Sequence, residues 1–521
     1  MKNGFVIFCL LPLLLWRLTP AQADAQDIVP SSSGLYEAVA LLAQEHLLSP
    51  DAPDVTGLLG VTRRLRTRAE LADLVRQASE DKADARGRAA LAYARNILAP
   101  ELGSQSGAGP KRATLGGAGF VQPTIQGRDD HGTNLRDRGY VFGRGTAFGT
   151  LGRDGAYTVG VTNVYRETRD HASFTTRNGG TGGGDNPGVL NGVDEAYATV
   201  LGHKGLRLTG GLMRQRWGSG YRGDLLVNDN GPSHLTLQLE IPFSLGRRLG
   251  SYRFNQYEAT YKNGGRTIYQ GGRRLEHPIG DRVTLSLEEG YNSNEFKNPQ
   301  VLFIPFYAYQ SNQYPHSTEP LFFNYLASVG LTVQPLGPRT AARLYGQILI
   351  DDIKAPNTLG QGYKVPRKLG YLLGYAQAFP HSGTDVVVEY AHTDRETYTG
   401  YVGPELAWFD GDLPQGHPIG PNGKEVSIRL GQRLTPKFDL SAEFRDRRRT
   451  ANDFPAPTVR SVDLGLAYHL SASQSVGLRL TDYREDPFTG VANTTVTITG
   501  GAGGGESLRR RIIGLSFLQA F

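Results

Sequence analysis

The sequence predicts a mainly β fold, a transmembrane antiparallel β-barrel of about 18 strands with a small N-terminal α-helical module. Three observations predict it. The last residues, Arg509-Arg-Arg-Ile-Ile-Gly-Leu-Ser-Phe-Leu-Gln-Ala-Phe521, alternate with a period of two and end on an aromatic. From about residue 113 the rest of the chain keeps that period in segments of strand length. The connectors between those segments alternate long and short.

The final stretch reads as a closing strand. Ile513, Leu515 and Phe517 share one face, Gln519 interrupts it and Phe521 ends it. In lipid an open sheet edge leaves backbone groups that nothing hydrates, so a last strand of this kind has to pair with the first. Ile513, Leu515, Phe517 and Phe521 are therefore taken as a membrane-insertion signature. Outer-membrane lipid and the barrel-assembly machinery are the partners it implies.

At the other end, Met1-Lys2-Asn3 is a short basic start, Phe5 to Trp16 is apolar, and Ala21-Gln22-Ala23 or Ala23-Asp24-Ala25 offers small residues for cleavage. Residues 1–25 are expected to be a signal peptide directing export to the outer membrane. The run is too short for a membrane-spanning helix, which needs about 18 apolar residues. Cys9 is the only cysteine, so a processed chain holds no disulfide and no thiolate metal site.

Residues 31–100 are expected to form a periplasmic three-helix module. Tyr36, Val39, Ala43 and Leu47 share one helical face. Thr67-Arg-Ala-Glu70 is a capping box ahead of Leu71, Leu74, Val75 and Ala78, and Leu91, Ala94 and Leu98 form a third stripe before Pro100. A Gly/Ser-rich linker follows over 101–112, and the barrel over 113–521.

Period-two segments include Tyr157-Val159-Val161, Leu235-Leu237-Leu239, Phe323 to Leu331, Leu344 to Ile350, Val426-Ile428-Leu430 and Leu464 to Leu470. Counted back from Phe521, long connectors fall at 484–508, 446–460, 394–423, 351–368 and 291–321. Short ones fall at 471–474, Thr435-Pro436, 379–383, 334–339 and 276–280. Short periplasmic turns and long outer loops give this rhythm. It lapses once, at Asn263-Gly-Gly-Arg266, where a long loop is expected. Faint strands between 113 and 150 leave the count open by two.

Composition agrees. The chain is 39% hydrophobic with a negative mean hydropathy, as suits strands with one lipid face and one watered face. Its 67 glycines and 25 tyrosines suit tight strand contacts and interfacial girdles. Losing Lys2 and Arg17 lowers the formal charge from +6 to +4 (6 − 2), which is too mild to make nucleic acid a partner.

Several segments in order resemble the capsule-assembly family of Wzi-type outer-membrane proteins. They begin with Gly34-Leu-Tyr-Glu-Ala-Val-Ala-Leu-Leu-Ala43 and Arg66-Thr-Arg-Ala-Glu-Leu-Ala72. Next come Gln215-Arg-Trp-Gly-Ser-Gly-Tyr221, Asp224-Leu-Leu-Val-Asn-Asp229 and Glu276-His-Pro-Ile-Gly-Asp281. Ile350-Asp-Asp-Ile353, Pro366-Arg-Lys-Leu-Gly-Tyr371 and Gly416-His-Pro-Ile-Gly-Pro-Asn-Gly423 complete the set. The resemblance implies an outer-membrane barrel with a helical bundle at its periplasmic mouth. It also implies a lectin-like, non-catalytic role, binding exported capsular or extracellular polysaccharide and anchoring it at the cell surface. No sugar-contacting residue carries over from it.

On chemical grounds, aromatic faces stack on pyranose rings. Trp217 and Tyr221, then Tyr307, Tyr309 and Tyr314, then Tyr401, Trp408 and Phe409 are the candidates, with Tyr398, His316 and His417 beside them. The same aromatics would serve equally as an interfacial belt or as loop packing. Arg448, among Arg445, Arg447, Arg449 and Arg509 to Arg511, suits acidic sugars or lipopolysaccharide phosphates; solvated rim charge is the plainer reading. Asp351-Asp352 is a weak candidate cation site. There is no phosphate-cradling loop, no His-Glu-x-x-His motif and no telling serine–histidine spacing, so neither catalytic residues nor a cofactor or metal are expected. A diffusion channel or polysaccharide-export pore is the competing function.

Overall fold

A computed structural model of the chain describes helical residues between 39 and 102. It also describes the strands that follow 113, and most of the connectors 214–228 and 394–422. Tyr307, Tyr309, Tyr314, Tyr401, Phe521 and the segment 1–37 lie outside the described residues.

Helix α1 spans Arg68–Arg76 and starts one residue after Thr67, where the capping box puts it. Helix α2 spans Ala85–Ile97. Leu71, Leu74 and Val75 on α1 and Leu91 and Ala94 on α2 are buried, as are Val39, Leu42 and Leu98. The 3.6-residue stripes are thus the buried faces of the helices. Arg95 of α2 ties to Glu80 between the helices at 2.5 Å.

Twenty strands follow among the described residues. They begin with β1 (Ala113–Gly127), β2 (Arg138–Leu151), β3 (Tyr157–Thr168), β4 (Val189–Leu201) and β5 (Arg207–Met213). The next are β6 (His234–Ser244), β7 (Ser251–Asn263), β8 (Arg266–Ile279), β9 (Val283–Ser293) and β10 (Phe323–Val333). Then come β11 (Ala342–Asp352), β12 (Lys368–Phe379), β13 (Thr384–Thr393) and a small pair, β14 (Phe409–Asp410) and β15 (Leu413–Pro414). The last are β16 (Gly423–Thr435), β17 (Phe438–Arg449), β18 (Thr458–Ser471), β19 (Gln474–Asp486) and β20 (Leu508–Ala520).

All but β14 and β15 join one 18-stranded sheet in which each strand pairs with its chain neighbours. The sheet closes. β20 lies antiparallel to β1, with Ile513 opposite Ile125 and Phe517 opposite Val121. Every backbone edge is thereby paired, as lipid demands. The terminal period of two had that meaning.

One strand face looks outward. Ile513 and Leu515 on β20, Leu478 and Leu480 on β19, Val462 and Leu464 on β18 and Phe444 on β17 are exposed large apolar side chains. Directly opposite residues share a face, so the registers carry this apolar belt from strand to strand. The other face looks into the lumen. Connectors at one end are short (280–282, 380–383, 436–437, 472–473) and mark the periplasmic end. At the outer end they are long (294–322, 353–367, 394–422, 487–507). The lapse is real: β7 and β8 join across residues 264–265 at the outer end, with Asn263 opposite Arg266. At the periplasmic end Phe243, Tyr252 and His277 stack along the outside, with ring centroids 5.4 and 4.3 Å apart. This is an interfacial girdle.

Candidate functional site

Two outer-end connectors fold inward and meet inside the barrel. The first, 214–228, leaves β5 with Trp217 N donating to Val227 O at 3.1 Å, which pinches its base. Gly218 sits at φ +75°, and the Asp224 carboxylate fills the space a Cβ there would need. Asp224 Oδ1 accepts from Leu226 N at 2.8 Å, Val227 N at 3.3 Å and Gln347 Nε2 at 2.9 Å. Such an aspartate holds a tight turn that the backbone alone would not keep. Burial pushes its carboxyl above the usual range, against the pull of Gln347 and the two amides.

The tip of this connector reaches the far wall. Tyr221 N and Arg222 N both donate to the Glu389 carboxylate of β13, the latter at 2.8 Å. Tyr221 Oη donates to Glu443 of β17 at 3.0 Å, and Arg222 Nη1 reaches the same carboxylate at 3.0 Å. Burial, with Glu443 beside it, pushes the Tyr221 hydroxyl up to about 12. Ser219 meets Thr332 of β10 at 2.6 Å, and Leu225 N donates to Gln347 of β11 at 2.8 Å. A segment rooted on β5 and β6 is thus fastened to β10, β11 and β13 and, on the other side of the ring, to β17.

The second connector, 394–422, packs on the first. Tyr398 is held at φ +73°, where only a specific clamp keeps a non-glycine residue. Its N donates to Asp351 Oδ2 at 2.7 Å and its hydroxyl donates to Leu225 O at 2.5 Å. Trp408 Nε1 donates to Leu226 O at 2.6 Å, and Asn228 N donates to Gln415 O at 2.7 Å. Gly272 of β8 leaves room for the rings of Tyr257 and Trp217, which meet edge to face with centroids 5.2 Å apart; a Cβ there would come within 2.5 Å of Tyr257 and 2.8 Å of Trp217. Around these rings Leu225, Leu226, Val227, Tyr345, Leu349, Leu372, Tyr398, Trp408 and Ile419 make one apolar core inside the lumen. Together the connectors form a plug.

The candidates sort by position. Trp217 and Trp408 are buried to 4% and 0% exposure, with their faces on plug and wall. Tyr221 and Phe409 are partly buried against the same core, and Tyr221 spends its hydroxyl on Glu443. Tyr398 and His417 are fully buried. Asp351 receives Tyr398 N, so half of the candidate acid pair is a backbone clamp. Among the described residues no group of three or more His, Cys, Asp or Glu could hold a metal ion. Arg448 points the other way, outward from β17, beside Asp446 at 2.9 Å.

Sequence reasoning did not single out a recess among the outer ends of β5 to β8. Arg214, Gln215, Asn228, His234, Gln270 and Gln415 line its polar side, and Tyr257, Thr236 and Val227 its floor. Counting its open mouth it is about 380 Å³; its enclosed part, about 20 Å³, is no larger than a water site. The amides are chained: Gln270 Nε2 donates to Gln415 Oε1 at 2.5 Å, Gln215 Nε2 to Gln238 at 3.1 Å and Gln238 Nε2 to Asn255 at 3.2 Å. His234 stacks on Tyr261 at 4.6 Å. Fixed planar amides beside aromatic rings can read hydroxyl groups and cover ring faces. No local pattern announces them. Gln270 and Gln415 lie 145 residues apart, and only the apolar triplet Leu225-Leu226-Val227 inside an outer connector signals that the connector turns inward.

No protein-family model matches the sequence, and no curated protein matches it. Solved structures do. The chain shares its fold with Wzi of Escherichia coli, described as an outer-membrane protein involved in group 1 capsule assembly and a carbohydrate-binding β-barrel. The two are 14% identical with a TM-score of 0.57, over 95% of this chain and 99% of that one. This chain has the Wzi fold, with 18 strands of its described residues in one antiparallel barrel. OccK5 (OpdH) of Pseudomonas aeruginosa and OccAB2 of Acinetobacter baumannii also match. Each is 10% identical with a TM-score of 0.44, over 78% of this chain and 98% of the other.

Proposed function

We propose that this protein binds exported polysaccharide at its outer mouth and anchors capsule or exopolysaccharide to the cell, without catalysis. The plug carries the reading. Two connectors cross the lumen and lock to the opposite wall through buried hydrogen bonds, which suits a fixed platform better than a wide passage. The amide-lined recess beside the plug supplies polar edges suited to sugar hydroxyls. The carbohydrate binding described for E. coli Wzi supports the same assignment. With no enclosed pocket of sugar size in the recess, affinity would come from many weak contacts along a polymer. Residues 1–25 serve as the export signal and 31–100 as a periplasmic module below the barrel.

One observation favours a channel instead. Arg479 and Asp463 pair at 2.9 Å on the lumen face of β18 and β19, and Arg479 is 60% exposed there, so water reaches that wall beside the plug.

Deleting the gene tests the anchor reading. Total polymer should stay constant while the cell-bound share falls and the medium gains it. Polymer that stays on the cells in normal amount would overturn the reading. Purified protein should also retain the polymer on a column, and a Gln270→Ala/His234→Ala variant should retain several-fold less.

A further inference from the structure

Outside the barrel, near its outer rim, the side-chain chemistry changes abruptly from one arc to the next. On β12 and β13 the outward positions are aromatic. Tyr371 is 44% exposed, with His392 at 4.7 Å and Tyr390 at 6.1 Å between ring centroids. The registers carry this row onward around the barrel. His392 lies opposite Lys424 of β16, and Lys424 opposite Arg448 of β17. Tyr390 lies opposite Val426, then Asp446, then Arg460 of β18, then Arg484 of β19, then Arg509 of β20.

So the aromatic girdle of β12 and β13 gives way to a basic row over β16 to β20. Lys424, Arg448, Arg460 and Arg484 are all exposed. Each lies within three residues of its strand's outer end. Adjacent strands are about 4.8 Å apart, so the row runs for roughly 15 Å from β16 to β19. Asp446 fixes two of its members: Arg448 Nη2 at 2.9 Å and Arg460 Nε at 3.4 Å. One carboxylate thus sets two guanidinium groups side by side. They stay 52% and 56% exposed, so part of each guanidinium remains open to the outside.

Asp446 on β17 and Asp482 on β19 occupy the next outward positions on their strands. Beyond them the face is lipid-facing: Phe444, Val462, Leu464 and Leu480 are 41, 43, 45 and 41% exposed. A basic row at the outer end of an apolar belt, on the outward face, sits where an outer leaflet passes from acyl chain to headgroup.

We propose that β16 to β19 carry a binding site for the phosphate groups of a phosphorylated glycolipid in the outer leaflet. Arg448 and Arg460 hold the phosphate, Lys424 and Arg484 flank it, and the belt below packs on the acyl chains. Arginine forks match phosphate oxygens two at a time, which an aromatic girdle does not. The lateral direction of the side chains selects a lipid over a polymer arriving from above. This assignment is independent of what the outer mouth binds.

The test uses the purified full chain in nanodiscs containing either bisphosphorylated lipid A or the same lipid after phosphatase treatment. Bound glycolipid is counted by native mass spectrometry. Wild type should retain the phosphorylated lipid, and R448Q/R460Q/R484Q should bind it at least tenfold more weakly. Phosphatase treatment of the lipid should produce the same loss in wild type. Arg479→Gln, a lumen-side change, should bind as wild type, and heat-dependent gel migration should show all variants folded. Inorganic phosphate at millimolar concentration should not displace the lipid; complete displacement would reassign the site to free phosphate and overturn the proposal. Unchanged retention by the triple variant, or displacement by polygalacturonate, would overturn it as well.

Discussion

At the scale of single residues the plug depends on buried polar groups that have found partners. Asp224 shows this on one of its two oxygens. It is fully buried, Oδ1 accepts three hydrogen bonds while Oδ2 accepts none among the described residues, and burial raises its carboxyl pKa. An acid whose pKa rises on burial favours the seated connector most when protonated, below the ordinary aspartate range near about 4. That contribution is lost as pH climbs through the raised value. Hydrogen exchange of the amides in 217–227 should therefore quicken with rising pH, beyond its intrinsic base dependence. In Asp224→Asn, which keeps an acceptor, this excess should shrink; an unchanged excess would show that Asp224 is not its source. Asp224→Ala takes the acceptor from Leu226 N and Val227 N and should loosen the connector by about 1–3 kcal/mol, read from the same protection. The residue scale is also where the sequence was least legible. Trp217, Trp408 and Tyr398 look in sequence like aromatics on outer loops, and nothing local says that the loops turn inward to bury them.

The strands were legible, and for a physical reason. A half-watered, half-lipid sheet imposes a period of two on every segment, and Val462-Leu464-Leu466 or Leu478-Leu480 shows it without help from tertiary contacts. Alternation of connector length added the sidedness, and the β7–β8 hairpin kept its anomalous place in the structure. The closing strand gives the sharpest test. Leu515 is 53% exposed on the outward face of β20. Leu515→Arg should destabilise the barrel by about 2–4 kcal/mol if the position lies at mid-bilayer, falling toward zero nearer an interface. Equilibrium unfolding from lipid vesicles measures the cost. A neutral result in thick and thin bilayers alike would remove Leu515 from the belt. Faint segments such as 113–127 were harder to read because glycine and small residues there blur the apolar alternation.

For the whole molecule the question is whether the ring is shut. The connectors cross it from β5 and β6 to β17, yet Arg479 meets water along β18 and β19. Planar-bilayer recording divides the readings. A fixed platform gives little steady current, and shortening the first connector by removing residues 219–226 should raise conductance several-fold. If the intact protein already conducts as much as the shortened one, the plug does not seal and the channel reading gains. In the N-terminal helices the buried stripes at Leu71, Val75, Leu91 and Ala94 could be read directly from spacing.

The reach of the first connector also dictates a sequence in time. Leu225 bonds a residue 122 positions away and Tyr221 one 222 positions away. Contacts of such separation carry a large loop-closure cost and form late. Until β17 has taken its place there is no wall for Tyr221 and Arg222 to meet. The contacts of the plug with its far wall therefore close only after that wall stands, so the connector is the last part of the barrel interior to lock.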